Sequence, residues 1–373
     1  MIGVLHVIDT YRIGGPGKTI INSARFIDHG RYRVHVAAFT SVDAAANEFA
    51  AAVRDRDIPF LALPETRRVD PSHLGAIRRY VAANGIGVVH AHGYRSDLLS
   101  YIATRGPSRP ALVTTHHGWI RNSRRQELVT RAVLQLCRRF DGVEVVSNRL
   151  LDELPGSVRR RAAVVHNAVV LDDYAPLGGR AGVRAELGFA DDAIVLGVIG
   201  RISIEKGCLE MIDAMARLVP RHPRLRLVFI GEGPLAATVA ERSEAAGVSD
   251  RVVFAGHRSP VRPYYEGLDL LVSPSRTEGI SNVILEALTM RLPVVATRVG
   301  GTPEILEDGE SGLLVPASDP AALADAIERV VGDTALAGRL ATGGCARVEA
   351  EFSFEARMRK EEAFYDGILG RRR

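Results

Sequence analysis

Lysine is nearly missing from this chain. Lys18, Lys206 and Lys360 are the only three, and the other 45 basic residues are arginine. A position that keeps lysine against that preference draws attention. Cysteine is as scarce. Cys137, Cys208 and Cys345 are odd in number and far apart, which excludes a disulfide framework or a Cys-x-x-Cys site and makes a reducing cytosol the default. No apolar run approaches the ~20 residues of a membrane span. The apolar start MIGVLHVIDT has no basic residue ahead of it, so it is expected to be a first strand and not a secretory signal.

What remains is a soluble globular composition, 46% hydrophobic and 25% charged over 373 residues. That length holds about two domains at ~150 residues each. Charge is uneven. Residues 1–175 carry 24 Lys+Arg against 16 Asp+Glu, and the remainder carries 24 against 28. A basic first half reads either as a site for an anionic partner, a membrane surface or a polyanion, or as drift in a chain that prefers arginine. No nucleic-acid partner is expected.

Apolar runs that read as buried strands alternate with helical spacing along the whole chain, which gives doubly wound parallel sheets. The pattern is interrupted at Pro176–Asp192, where Gly178, Gly179, Gly182 and Gly188 fall, and then restarts. The expected domains are therefore 1–177 and 178–352, with 353–373 as a last helix.

The stretch Ser273–Met290 organises the functional reading. A strand through Val272 is broken by Pro274, Ser275 and Gly279, and a helix starts near Ser281 or Asn282. A strand, a tight loop and a helix N-terminus aim unpaired backbone N–H groups at an anion. Glu278 and Glu286 bracket that point. They are either ligands for hydroxyls on both sides of a phosphate or simply solvated acids. Gly200-Arg201 and Glu205-Lys206-Gly207 follow the first strand of the second half. Arg201 and Lys206 are either solvated surface cations, a reading that the rarity of lysine weakens for Lys206, or a pair that can neutralise a departing nucleoside diphosphate. Gly231–Pro234 reads equally as a structural turn or a functional one. His257-Arg258 ends another strand, where a base could stack.

In the first half, Gly14–Thr19 suggests a Walker A loop, but Arg12 stands where that motif requires its first glycine. A glycine loop at this place can still bring N–H groups to a phosphate. His116-His117-Gly118-Trp119 ends a strand and offers one imidazole to a sugar hydroxyl. His90 is expected inside and His92 facing the cleft; zinc binding by them lacks the usual spacing. Along the helix expected at Arg121–Phe140, Arg124, Arg131 and Arg138 share one face, and Leu128, Val129, Val133 and Leu136 form an apolar one. Such a helix is either a membrane-surface contact or a solvated surface helix.

Thr277–Ala287 resembles the Glu-x7-Glu motif of the family-four retaining glycosyltransferases, which have the GT-B fold. Gly14-Gly15, His117, Asn167, Gly200-Arg201 with Lys206, Pro293 and Gly300–Glu304 agree in order and spacing. The resemblance implies an α/β, GT-B chain with two tandem Rossmann-like, doubly wound parallel-sheet domains facing a central cleft. It implies a UDP- or GDP-sugar donor, a lipid-linked or glycan acceptor and retention, with no metal and no cofactor. Arg201, Lys206, Glu278 and His117 would be catalytic. Gly14, Gly15, Gly200, His257, Arg258, Gly279, Ile280, Ser281, Asn282 and Glu286 would bind donor, with Glu286 on the ribose, Glu278 on the sugar and His117 near its 6-hydroxyl. The histidine register stays open by one residue, His116 or His117. The last helix would cross back to the first domain. Cell-surface polysaccharide or glycolipid synthesis follows, in the cytoplasm or peripherally on the inner face of the membrane. A GT-B nucleotide-sugar epimerase is the alternative, with a P-loop NTPase behind it.

Overall fold

The computed structural model describes all residues except 42, 44, 45, 66–69, 107, 108, 118–123 and 373, and only the backbone at 124–126. The chain forms two compact units, Met1–Asn167 with Phe354–Arg373, and Ala168–Ser353.

Unit 1 holds a seven-stranded parallel sheet. Its strands are β1 (Ile2–Ile8), β2 (Tyr32–Thr40), β3 (Phe60–Pro64), β4 (Ile86–His92), β5 (Ala111–His116), β6 (Gly142–Val145) and β7 (Ala162–Val164), in the order β3-β2-β1-β4-β5-β6-β7. Unit 2 holds six: β8 (Ile194–Ile199), β9 (Leu225–Ile230), β10 (Val252–Gly256), β11 (Leu270–Ser273), β12 (Val294–Thr297) and β13 (Leu313–Val315), ordered β10-β9-β8-β11-β12-β13. Both are Rossmann-like. Each order reverses once, between β1 and β4 and between β8 and β11, and ligands bind beyond the carboxyl ends of strands at such reversals.

The near-continuous apolar strands arise because helices cover both faces. Along β9, Leu225, Leu227 and Phe229 join one core with Met211, Ile212 and Met215, while Val228 and Ile230 join the other with Ile284, Leu285 and Leu288. Successive side chains point to opposite faces, so one strand serves two cores.

The segment expected to connect the domains, 176–192, lies inside unit 2, and the division falls at Asn167 and not at 177. Glycine content suggested a linker, but Arg184 anchors the segment. Its buried guanidinium donates to the Gly267, Asp191 and Ala193 carbonyls and to Asp269 Oδ2 at 2.6 Å. The helix Phe354–Gly370 packs within unit 1, with Phe354 stacked on Phe26 and Tyr32 donating to Asp366 at 2.7 Å.

The basic helix runs Arg124–Leu136 and tightens into a 3-10 turn at Cys137–Arg139; the first part of the expected span lies outside the described residues. Its expected apolar face divides. Val133 is buried, but Leu128 and Val129 are exposed, because only one stripe of the helix meets the sheet.

Candidate active site

The loops after β8 and β11 meet at the reversal of unit 2. Gly200-Arg201 leaves β8, and Ile204–Lys206 forms a 3-10 turn closed by Gly207 at φ +65°. A Cβ on Gly207 would lie 1.9 Å from the Pro274 carbonyl oxygen, so glycine alone lets these loops cross. That crossing brings Lys206 Nζ to 2.6 Å from Glu278 Oε2, which also accepts from Ser275 Oγ at 3.1 Å. Arg201 is exposed and makes no side-chain hydrogen bond or ion pair among the described residues. Gly200, Arg201, Lys206, Ser275, Glu278 and Ser281 line one small cavity. Its volume of ≈ 10 Å³ holds about one water, so it fixes a cation-and-carboxylate floor and not a nucleotide-sized pocket.

The helix after this loop is Asn282–Thr289. Its N-cap, Ser281, makes no side-chain cap hydrogen bond, so the first-turn N–H groups remain directed at the loop. Asn282 Oδ1 is buried with no partner among the described residues. One turn on, Glu286 accepts from Tyr265 Oη at 2.7 Å. Tyr174 also hydrogen-bonds Glu286, and burial and that carboxylate raise both phenol pKa values. Nothing in the sequence pattern pairs Tyr174 and Tyr265 with Glu286, because neither lies in a glycine loop or at a strand end.

Gly300 holds the other side of Glu278. Its φ is +54°, and an added Cβ would fall 1.6 Å from the Glu278 carbonyl oxygen. Gly300→Ala is therefore expected to cost at least ~1–3 kcal/mol in backbone strain and to displace Glu278. Thermal melting should show the loss, with donor affinity falling alongside. An unchanged melting temperature would sink this reading of the loop.

His257 is exposed at the end of β10, and its backbone N–H reaches Glu232 Oε1 at 3.3 Å. Arg258 lies 3.5 Å from Glu186 and over the Tyr264 ring. The structure thus brings Gly200, Arg201, Lys206, Glu278 and Ser281 together, and leaves His257 and Arg258 two strands away from β8.

In unit 1 the glycine stretch differs from the expected loop. The helix begins at Gly15, with Gly14 as N-cap and Pro16 in the first turn. Proline at the first turn is pre-organised for a helix and lacks an N–H. No phosphate-wrapping loop forms, and Lys18 is exposed in the helix with its backbone N–H bonded to Gly14 O at 2.9 Å. The P-loop alternative loses its structural basis.

His92 does not face out; it is buried like His90. Residues two apart on a strand share a face, and β1 sets His6 opposite His90. His6, His90 and His92 form a triangular cluster with ring centroids 4.6–5.2 Å apart, and His117 adds to it 6.0 Å from His92. His6 Nδ1 lies 2.9 Å from His92 Nε2, and His90 bonds Tyr365 Oη and Thr115 Oγ1, both at 2.6 Å. The nitrogens of His6, His90 and His92 lie within 4.8 Å of one another. His90 has both nitrogens engaged in this hydrogen-bonded cluster. Tyr365 donates to Glu361 at 2.6 Å, and the buried Arg357 donates to Glu144 at 2.9 Å and Glu361 at 3.2 Å. These partners escaped the sequence reading because they lie up to 275 residues apart in the chain.

The two histidines of the pair have different surroundings. His116 points into the core, 3.2 Å from Cys137 Sγ, and burial pushes its pKa down to about 3. His117 stacks on His92, and its Nε2 has no partner among the described residues. Burial and Arg357 lower its pKa to about 4, so it is neutral. Gly118 and Trp119 lie outside the described residues.

With this geometry in hand, similarity to known proteins adds an identity. Residues 13–173 match the family described as Glycosyltransferase Family 4, and 193–333 match Glycosyl transferases group 1. The chain is 32% identical over 298 residues to an alpha-D-kanosaminyltransferase of Streptomyces kanamyceticus, covering 75% of this chain and 76% of that one. It is 30% identical to the lipopolysaccharide core biosynthesis mannosyltransferase LpsB of Rhizobium meliloti (strain 1021), covering 63% and 68%. In fold it is similar to Anabaena HepE crystallised with UDP, with TM-score 0.84 and 21% identity over 98% of this chain and 100% of that one. The chain belongs to the group 1, family 4 glycosyltransferases and has their GT-B architecture.

Proposed function

We propose that this glycosyltransferase moves a sugar, with retention, from a UDP- or GDP-sugar to a hydroxyl of a lipid-linked or glycan acceptor in cell-surface polysaccharide or glycolipid synthesis. The observation that carries the reading is the Arg201, Lys206 and Glu278 floor beside the N-terminus of Asn282–Thr289. Two cations and a set of N–H groups suit a diphosphate; a carboxylate beside them suits the sugar's hydroxyls. As the bond from the anomeric carbon to the diphosphate oxygen breaks, charge grows on that oxygen, and Arg201 and Lys206 stabilise it. The acceptor oxygen forms the new bond on the same face, and its proton passes to the leaving phosphate. No general base from the chain is required, and no metal or cofactor is invoked. Gly200 and the Gly279–Asn282 backbone would hold the phosphates, and His257 and Arg258 would face the base. Gly15 would add its N–H from the first turn of its helix, Gly14 serving as N-cap with its own N–H given to the Arg12 carbonyl at 3.1 Å, and His117 would meet the sugar's 6-hydroxyl as a neutral imidazole. The exposed Leu128 and Val129 on a basic helix support peripheral contact with an anionic membrane, on its cytoplasmic side.

Glu286, fixed by Tyr265 and Tyr174, would accept from the ribose hydroxyls. Glu286→Gln is expected to raise the donor KM about 10–100-fold, the worth of charged hydrogen bonds, with a smaller change in kcat. The overall reading is tested by thermal shift with UDP-, GDP- and ADP-sugars, since a ligand of the folded state raises its stability, followed by nucleotide-release assays with acceptor hydroxyls. If none of these donors shifts melting or is turned over, the proposal fails.

A further inference from the structure

A second concentration of basic side chains lies at the amino ends of the unit 1 strands. Where β5, β6 and β7 begin, a cavity of ≈ 420 Å³ opens, within the ~300–1,000 Å³ range of small-molecule sites. Its walls carry Arg105, Arg109, Arg138, Arg139 and Arg161 with one acid, Asp141. These residues stand at the amino ends of the strands, whereas His116, His117 and the glycine turn stand at the carboxyl ends. The six residues of β5 separate the two by ~17–20 Å at 3.3 Å each. The cavity is thus distinct from the face where a doubly wound sheet takes its substrate.

Asp141 is already satisfied. Arg109 holds it through two bonds of 2.6 and 2.9 Å, Arg372 donates to it at 2.7 Å, and so does the Leu112 N–H at 2.8 Å. The four remaining arginines have no carboxylate partner among the described residues. Among the described residues Arg105 donates to Tyr101 Oη at 3.1 Å and lies over the same ring. Arg161 donates to the Arg138 carbonyl at 2.6 Å, and its Nε is shielded from solvent without an acceptor. A shielded N–H without a partner is costly, and it is a donor that an anion's oxygen can satisfy. The field is felt locally: Arg105, with Arg139 and Arg109 behind it, lowers the Tyr101 pKa.

We propose that this cavity binds the phosphoryl group of a mono- or diphosphate, separately from the sugar-donor site. Guanidinium forks match phosphate oxygens two at a time, and four uncompensated forks around one concavity exceed what a single carboxylate needs. The phosphate comes either from a soluble compound or from the headgroup of an anionic phospholipid. The inference does not depend on the donor reading, because none of its residues lies in unit 2.

The test is local. The full-length protein is labelled with phenylglyoxal, and modification of Arg105, Arg138 and Arg139 is followed by peptide mass spectrometry. One arm adds pyrophosphate, a second adds vesicles of equal parts phosphatidylcholine and phosphatidylglycerol, and a third adds sodium chloride at matched ionic strength. At a ligand concentration ~10 times its dissociation constant, labelling is expected to slow about tenfold relative to chloride. Protection by pyrophosphate identifies a soluble phosphate; protection by vesicles alone identifies a lipid headgroup. In an Arg105→Ala/Arg139→Ala variant, protection of Arg138 should disappear. Equal labelling in all three arms, or protection of Arg138 that survives in the variant, overturns the proposal.

Discussion

Lys206→Ala is expected to lower kcat about 10²–10³-fold, the loss that follows removal of one preorganised transition-state donor. The expectation rests on where the lysine sits. Its ammonium is 2.6 Å from Glu278 Oε2, with 29% of its side chain exposed. It has room to meet a diphosphate but is held on a fixed turn by the crossing at Gly207. Two roles are separable. If Lys206 served only as counter-ion to Glu278, replacing both would restore much of the loss, because the Glu278→Gln background removes the charge that needs neutralising. If it stabilises the leaving diphosphate, Lys206→Ala stays costly in that background, and the double-mutant cycle reports the difference. Lys206→Arg should recover only part of the rate. It keeps the charge, but a planar fork replaces a compact point charge. A Lys206→Ala enzyme within threefold of wild type, an effect of under ~1 kcal/mol, would remove Lys206 from the leaving-group site.

Unit 2 was the more legible half, and the reason is physical. Its strands β8 and β9, Ile194–Ile199 and Leu225–Ile230, are short apolar runs each ended by a glycine, the pattern that reads as a buried strand. The loops that carry Arg201, Lys206 and Glu278 follow such strands, where polar residues stand out. Unit 1 was harder for two reasons. Gly15-Pro16-Gly17 looks like loop by composition, yet proline is compatible with a first helical turn, and the helix takes all three. The histidines look like separate strand-end residues because their partnership is made by register, β1 beside β4, and by a tyrosine on the last helix. Local pattern contains no term for such contacts. Segment 176–192 shows the same limit: four glycines signal a connector, and one buried arginine pins it down.

The buried histidines make unit 1 the acid-labile part of the protein. Burial lowers the pKa of His6 and His117 to about 4 and of His116 to about 3, and takes His90 and His92 well below the usual value. Each stays neutral in the fold where the unfolded chain, with pKa near 6.5, takes up a proton. Their contribution is present above pH ~6.5 and is lost as pH falls toward their folded values. Two buried carboxyls oppose this. Burial raises Asp97 and Glu144 to about 7, the latter despite Arg357 beside it. The fold therefore favours their protonated forms, and their penalty grows as pH rises from ~4 to ~7. Between pH ~4.5 and ~6.5 five imidazoles face two carboxyls, and the imidazoles prevail. Each excess proton is worth ~1.4 kcal/mol per pH unit, so an effective excess of one or two removes a large share of a stability of ~5–15 kcal/mol. Melting temperature measured by circular dichroism should hold near pH 7 to 8 and fall steeply below ~6.5. Hydrogen exchange should rise first in β1, β4 and β5. Asp97→Asn supplies the opposite sign. Its Oδ1 partner, Thr114 Oγ1 at 2.6 Å, remains available, while the carboxyl that favours the acid form is gone. That variant should gain stability above neutrality and lose it faster on acidification. A melting temperature that stays flat or climbs from pH 7 to 5 would show that the buried imidazoles take up protons without opening the fold.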